Sequence, residues 1–192
     1  MQQRRFQIPA EEKTVRELRA GQRLLLNGTL ITARDRAHRW LAEKNSHELQ
    51  PLLDGGALYH CGPIMQKQGD VWICKAAGPT SSLRQEPYMA GLIRKYGIRC
   101  IIGKGGMGPE TAEALREYGT VYCSAVGGAA VLYANTVESV EAVFRLEAFG
   151  MPEALWLMKV RDFPVMVSMD THGNSLYRDI EKISKTRLGK II

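Results

Sequence analysis

The chain has 192 residues, 45% of them hydrophobic and 24% charged, with a formal net charge of +6 at pH 7. That size and composition suit one compact domain with a full core, and no apolar run approaches the roughly 20 residues that a membrane-spanning helix needs. The four cysteines, Cys61, Cys74, Cys100 and Cys123, sit in separate apolar segments; this excludes the short ligand spacing of a zinc or iron–sulfur loop and points to buried free thiols.

The opening residues, Met1-Gln2-Gln3-Arg4-Arg5-Phe6, run into Glu11 and Glu12 rather than into an apolar signal region, so a cytoplasmic protein is expected. Residues 12–20 are polar and turn at Gly21. Residues 23–32 read as a strand interrupted at Gly28, where a bulge or a close backbone approach is expected. Thr32 then reads as the capping hydroxyl of a helix over 33–43, which carries Ala37, Trp40 and Leu41 on one face and Arg34 at its start. The apolar runs 57–61 and 71–76, bracketed by glycines, read as paired strands.

Pro87 opens a helix with Met89, Leu92, Ile93 and Tyr96 at helical spacing, and Gly97 ends it. Residues 99–102 form a buried strand by their apolar character, Pro109 opens a second helix that ends at Gly119, and 120–126 is a further strand. Gly127-Gly128 and a small helical segment over 129–134 follow. Strand, loop and helix in this repeated order predict a parallel α/β core with functional loops at the carboxyl ends of its strands. Residues 155–160 and 165–169 then read as two strands, with 170–174 as a turn.

The basic excess gathers at Arg34, Arg36 and Arg39 and again at Arg178, Lys182, Lys185, Arg187 and Lys190. No aromatic residues interleave with it in the manner that stacks bases, so an acidic partner or a small anion is expected rather than nucleic acid. Two loops supply the matching chemistry. Gly78-Pro79-Thr80-Ser81-Ser82-Leu83-Arg84 and Gly103-Lys104-Gly105-Gly106-Met107-Gly108-Pro109 each place hydroxyls or a cation on a turn whose N–H groups face outward.

The second loop lacks phosphate-loop spacing, and no hydroxyl follows its lysine. Taken alone, Thr80, Ser81 and Ser82 would bond turn backbone, Lys104 would be solvated, and His38 would be a solvated neighbour of Arg34 on the same helix face. His38, His47, His60 and His172 are too dispersed for a metal centre. Anion-binding groups without a cluster of histidines, cysteines or carboxylates look like half of an active site.

In combination, residues 28–38, Gly78-Pro79-Thr80, Gly103-Lys104-Gly105-Gly106, Val126-Gly127-Gly128-Ala129-Ala130 and residues 149–156 closely resemble the β subunit of the two-subunit class I fumarases and L-tartrate dehydratases. The likeness spans residues 21–176 in order and spacing. It implies an α/β fold, a swivelling β/β/α domain with mixed sheets and flanking helices. It also implies a single domain over 1–192, with a core at about 21–177 and a basic tail over 178–192.

The resemblance implies a hydro-lyase that interconverts fumarate and L-malate, with L(+)-tartrate dehydration as the alternative and a non-catalytic anion-binding module as a second one. It further implies an oxygen-sensitive [4Fe-4S] cluster carried by a partner α subunit, in an α2β2 assembly, with this chain holding neither cluster nor metal. By motif, Arg34 and Arg84 take the place of substrate-carboxylate contacts, Thr80 that of the proton-transfer residue, and Lys104 that of a further substrate contact able to settle developing charge. The chain departs from the family pattern at Ser81, where a second threonine is common, at Arg84-Gln85-Glu86, where the acid is kept at Glu86, and at Met107, where single-chain members can carry arginine.

Overall fold

In the computed structural model, which describes residues 3–188, the chain begins with β1 (Arg4–Ile8), α1 (Glu12–Arg16), β2 (Arg23–Ala33), α2 (Asp35–Glu43) and α3 (Gln50–Leu53). It continues through β3 (Ala57–His60), β4 (Ile64–Gln68) and β5 (Val71–Ala76), then a 3-10 turn (Ser82–Gln85) that leads into α4 (Glu86–Tyr96). β6 (Cys100–Gly103), α5 (Pro109–Tyr118), β7 (Val121–Ser124), α6 (Ala130–Ala134), β8 (Val137–Phe144), α7 (Leu146–Phe149), β9 (Leu155–Met169) and α8 (Leu176–Leu188) complete it. Met1, Gln2 and the tail residue Lys190 lie outside the described residues.

β2, β3, β6 and β7 pair in parallel in that order, and β1 adds in parallel to β2. β9 runs antiparallel to both β7 and β2, so pairing passes around a ring of five strands, with β8 on the outer side of the first half of β9. Alternation along the strands assigns the two faces. Leu24, Leu26 and Leu30, Ala57 and Tyr59, Cys100 and Ile102, Val121 and Cys123 fill one apolar cluster, while Ile31, Leu58, Ile101 and Tyr122 point to another. The second cluster is closed by Ala37 and Leu41 of α2, by Met89, Leu92 and Ile93 of α4, and by Ala114 and Leu115 of α5. Ring strands buried on both faces explain the unbroken apolar runs that predicted a parallel core. The resulting architecture agrees with the expectation of an α/β fold with mixed sheets and flanking helices.

Four sequence expectations need correction. The strands at 57–61 and 71–76 are not partners: β3 is fully buried between β2 and β6, whereas β5 is one arm of a partly exposed hairpin with β4. Residues 155–160 and 165–169 belong to the single strand β9. Its inward phase slips there, from Trp156, Met158 and Val160 to Phe163, Val165 and Val167, because Asp162 takes a positive φ of 50°. The slip hides the continuity from a period-two reading.

Thr32 does not cap α2, because it is the penultimate residue of β2 and its hydroxyl accepts the N–H of Trp156 at 3.1 Å. His38, expected in solvent, is fully buried. The bulge expected at Gly28 is present opposite β9, with φ of 117° and the Ile8 carbonyl standing where a side chain would begin. Residues 178–188, read as a tail, continue α8, and β1, β4 and β8 had no counterpart in the sequence reading.

Candidate functional site

Parallel pairing brings four strand ends to one edge. The register sets Ala33 beside His60, Tyr59 beside Ile102 and Gly103 beside Ser124, so Arg34, Cys61, Lys104 and Ala125 emerge together. The turn over residues 78–84 threads between them: Thr80 N–H donates to the His60 carbonyl at 2.8 Å, Ser82 N–H donates to the Lys104 carbonyl at 2.9 Å, and Ser81 bridges Lys104. Carboxyl ends of parallel strands are where α/β folds place their functional loops.

Asp35 joins three of the residues singled out from the sequence. Arg84 Nη2 donates to Thr80 Oγ1 at 2.7 Å and lies 3.4 Å from Asp35 Oδ2, while Arg34 Nε lies 4.0 Å from the same oxygen and 3.4 Å from Glu153 Oε1. Gln85 Nε2 donates to Asp35 Oδ1 at 2.5 Å, and the other Glu153 oxygen receives the Arg36 N–H at 2.8 Å. The guanidinium side chains are 36% and 47% exposed at Arg34 and Arg84, and ion pairs of that kind contribute about 0–1 kcal/mol. An incoming carboxylate can therefore displace these partners at small cost and take the bidentate contacts that arginine offers. Lys104 is attached to the same turn through its backbone, and its exposed side chain passes over Gly127.

The structure thus gathers Arg34 and Arg84 around one carboxylate, bonds Thr80 to Arg84 and ties Lys104 to the same turn through the backbone. A groove of about 530 Å³ beside them is lined by Asp35, Arg39, Trp40, Arg84 and Tyr88 among others, whereas Arg34, Thr80 and Lys104 are not in its walls. Among the described residues, no group of three or more histidines, cysteines, aspartates or glutamates is arranged to hold a metal ion. Of the four thiols, Cys61, Cys100 and Cys123 are buried, with Cys100 Sγ 3.8 Å from Cys123 Sγ, and Cys74 lies on the β5 hairpin arm. No described helix is long and apolar enough to cross a membrane.

Beneath the exposed groups lies a polar layer that sequence reasoning missed. Ser82 is fully buried, and its Oγ meets the Lys104 N–H at 3.1 Å, the Tyr122 hydroxyl at 2.9 Å and His60 Nδ1 at 2.8 Å. Gly103 makes this meeting possible, because a Cβ there would collide with Ser82 Oγ and stand 3.1 Å from His60 Nδ1. Glu86 holds the far end of the lysine loop: its carboxylate accepts the N–H of Gly108 at 2.7 Å, the N–H of Thr111 at 3.0 Å and the Thr111 hydroxyl at 2.6 Å. A carboxylate at the start of α5 also suits the helix dipole.

His38 and His60 meet edge to face with ring centroids 4.8 Å apart. Burial lowers the His38 imidazole from 6.5 to about 4, and burial together with the neighbouring His38 holds His60 well below its ordinary value, so both rings are neutral at pH 7. The signals for this layer were present in part. Ser82 and Glu86 flank Arg84 in sequence, and Glu153 lies within the segment 149–156, but their partners come from remote strands.

The family described as Fumarase C-terminus matches residues 2–180. A protein of Geobacillus stearothermophilus that carries a class I fumarate hydratase name is 48% identical over 186 residues, 96% of this chain but 35% of that relative. A Methanocaldococcus jannaschii protein with an L(+)-tartrate dehydratase subunit beta name is 41% identical over 94% of both chains. The Escherichia coli protein named L(+)-tartrate dehydratase subunit beta is 39% identical over 96% of this chain and 91% of its own length. This chain therefore spans about a third of the first relative and nearly all of the other two, and it belongs to the Fumarase C-terminus family.

Proposed function

We propose that this member of the Fumarase C-terminus family supplies one half of a hydro-lyase active site, and that a partner α subunit supplies the iron–sulfur cluster and the remaining groups. Fumarate and L-malate are the substrate pair in this reading, which also takes the chain to be a cytoplasmic domain that swivels to close over its partner. The observation that carries it is the bond from Arg84 Nη2 to Thr80 Oγ1, with Arg34 sharing Asp35, beside a loop that presents Lys104. The two arginines grip the carboxylates of a small dicarboxylate. Lys104 neutralises charge that builds on a carboxylate when the adjacent carbon loses its proton.

Thr80 moves that proton. A guanidinium N–H on its oxygen favours the deprotonated hydroxyl, which offsets the weakness of threonine as a base. Tartrate dehydration is the second reading, favoured by the two relatives that match this chain along 94% and 91% of their own lengths and carry beta-subunit names. The substrates differ in one hydroxyl group, and a site built to bond a hydroxyl can discriminate strongly.

The test is anaerobic reconstitution of the purified chain with an α-type polypeptide, assayed with fumarate and with L(+)-tartrate. Turnover is expected only in the mixture, with fumarate the faster substrate. Turnover by this chain alone, or an assembled, cluster-loaded complex inert to both substrates, would contradict the reading.

A further inference from the structure

Among the described residues, five buried side-chain atoms find no hydrogen-bond partner: Thr171 Oγ1, Arg34 Nε, which faces the Glu153 carboxylate at 3.4 Å, and three whose groups have no charged neighbour to turn to at that end, His38 Nε2, His60 Nε2 and Gln85 Oε1. Buried polar groups are nearly always hydrogen-bonded, so the last three together call for one explanation. Their characters follow from the bonds made at the other end of each group. His38 Nδ1 lies 2.7 Å from the Arg34 carbonyl, which can only accept, so Nδ1 carries the proton of this neutral ring and Nε2 is a bare acceptor. Gln85 gives its amide N–H to Asp35, and its Oε1 is a second bare acceptor.

For His60 the deduction runs through Ser82. The Gly106 N–H donates to the Tyr122 oxygen at 3.3 Å, and the Tyr122 proton goes to Ser82 Oγ. Ser82 Oγ also receives the Lys104 N–H, so its two lone pairs are filled and its own proton goes to His60 Nδ1. The proton of the neutral His60 ring is therefore on Nε2, which makes that atom a donor. One donor and two acceptors are the complement of a water molecule, which accepts one bond and donates two.

The placement agrees with the bonding. The two imidazoles touch edge to face, and Gln85 lies three residues after Ser82 in a 3-10 turn, where side chains at that spacing eclipse one another. Gln85 therefore leaves the turn on the side where Ser82 meets His60, while its amide reaches Asp35 at the start of the helix that carries His38. We propose that His38 Nε2, His60 Nε2 and Gln85 Oε1 hold one internal water molecule, closing an unbroken polar chain from the Arg34 carbonyl through His38, the water, His60 and Ser82 to the Lys104 N–H. Buried waters typically make about three hydrogen bonds. This one fixes the backbones of two cationic residues that are remote in sequence, whatever reaction they serve.

Long-range proton–nitrogen correlation spectra of the full chain read the tautomers directly. The expected result is His38 protonated at Nδ1 and His60 at Nε2, both neutral between about pH 5 and pH 8. An experimental structure fine enough to show ordered water should place one molecule within about 3.2 Å of all three atoms. The opposite tautomer at either ring, or three atoms satisfied by protein groups with no shared water, would overturn the proposal.

Discussion

Replacing Ser82 with alanine removes the oxygen at which the turn bearing Thr80 and Arg84 is bonded to the lysine loop. The variant leaves the Lys104 N–H, the Tyr122 hydroxyl and His60 Nδ1 without their partner, and Ser82 itself is fully buried. At about 1–3 kcal/mol for each buried group left unpaired, and with partial relaxation, the loss is about 3–5 kcal/mol. Domains of this kind hold about 5–15 kcal/mol in all, so the change is large. Urea unfolding of the purified chain measures it, and the melting temperature should fall by about 10 °C. Ser81→Ala is the control: Ser81 is exposed, and a loss within about 0.5 kcal/mol is expected. A Ser82→Ala loss below about 1 kcal/mol would refute the reasoning that this hydroxyl bonds the two loops together.

Glu86→Gln keeps the shape of the side chain but removes the charge that accepts three bonds at the start of α5, so a loss of about 2 kcal/mol is expected in the same unfolding assay. Parental stability in that variant would leave the carboxylate as a surface acid. Acid should begin to weaken the fold above the range in which carboxylates take up protons. The unfolded chain takes up a proton at His38 as pH falls through 6.5, whereas the buried ring resists until about 4, so stability is full above 6.5 and declines across that window. The decline from this ring is about 3 kcal/mol, and His60 adds in the same direction. Unfolding free energies that stay flat from pH 7 to pH 5 would contradict the neutral buried pair.

The parallel core was legible because its strands are apolar throughout and its helices are punctuated by Pro87 and Gly97, and by Pro109 and Gly119, with both glycines in the left-handed region at the helix ends. Period-two reading failed where pairing is set by distant segments. β3 and β5 look alike in sequence, yet only β3 is enclosed by two parallel neighbours, and the phase slip at Asp162 breaks one long strand into two apparent ones. Arg34, Thr80, Arg84 and Lys104 could be singled out because glycine- and proline-rich loops advertise them. The layer beneath could not be, because Ser82, His60 and Tyr122 become neighbours only when β3, β6 and β7 align.

Thr80 carries the central claim, and steady-state kinetics of a reconstituted αβ complex test it. If its hydroxyl moves a proton, Thr80→Val should lower kcat by about 100-fold or more with little change in KM, since general acid–base groups contribute 10²- to 10⁴-fold. Arg34→Met in the same complex should raise KM as well as lower kcat, because a carboxylate grip acts in the ground state and the transition state alike. A Thr80→Val complex that assembles, keeps its cluster and turns over at the parental rate would contradict the account and leave Thr80 as a turn residue.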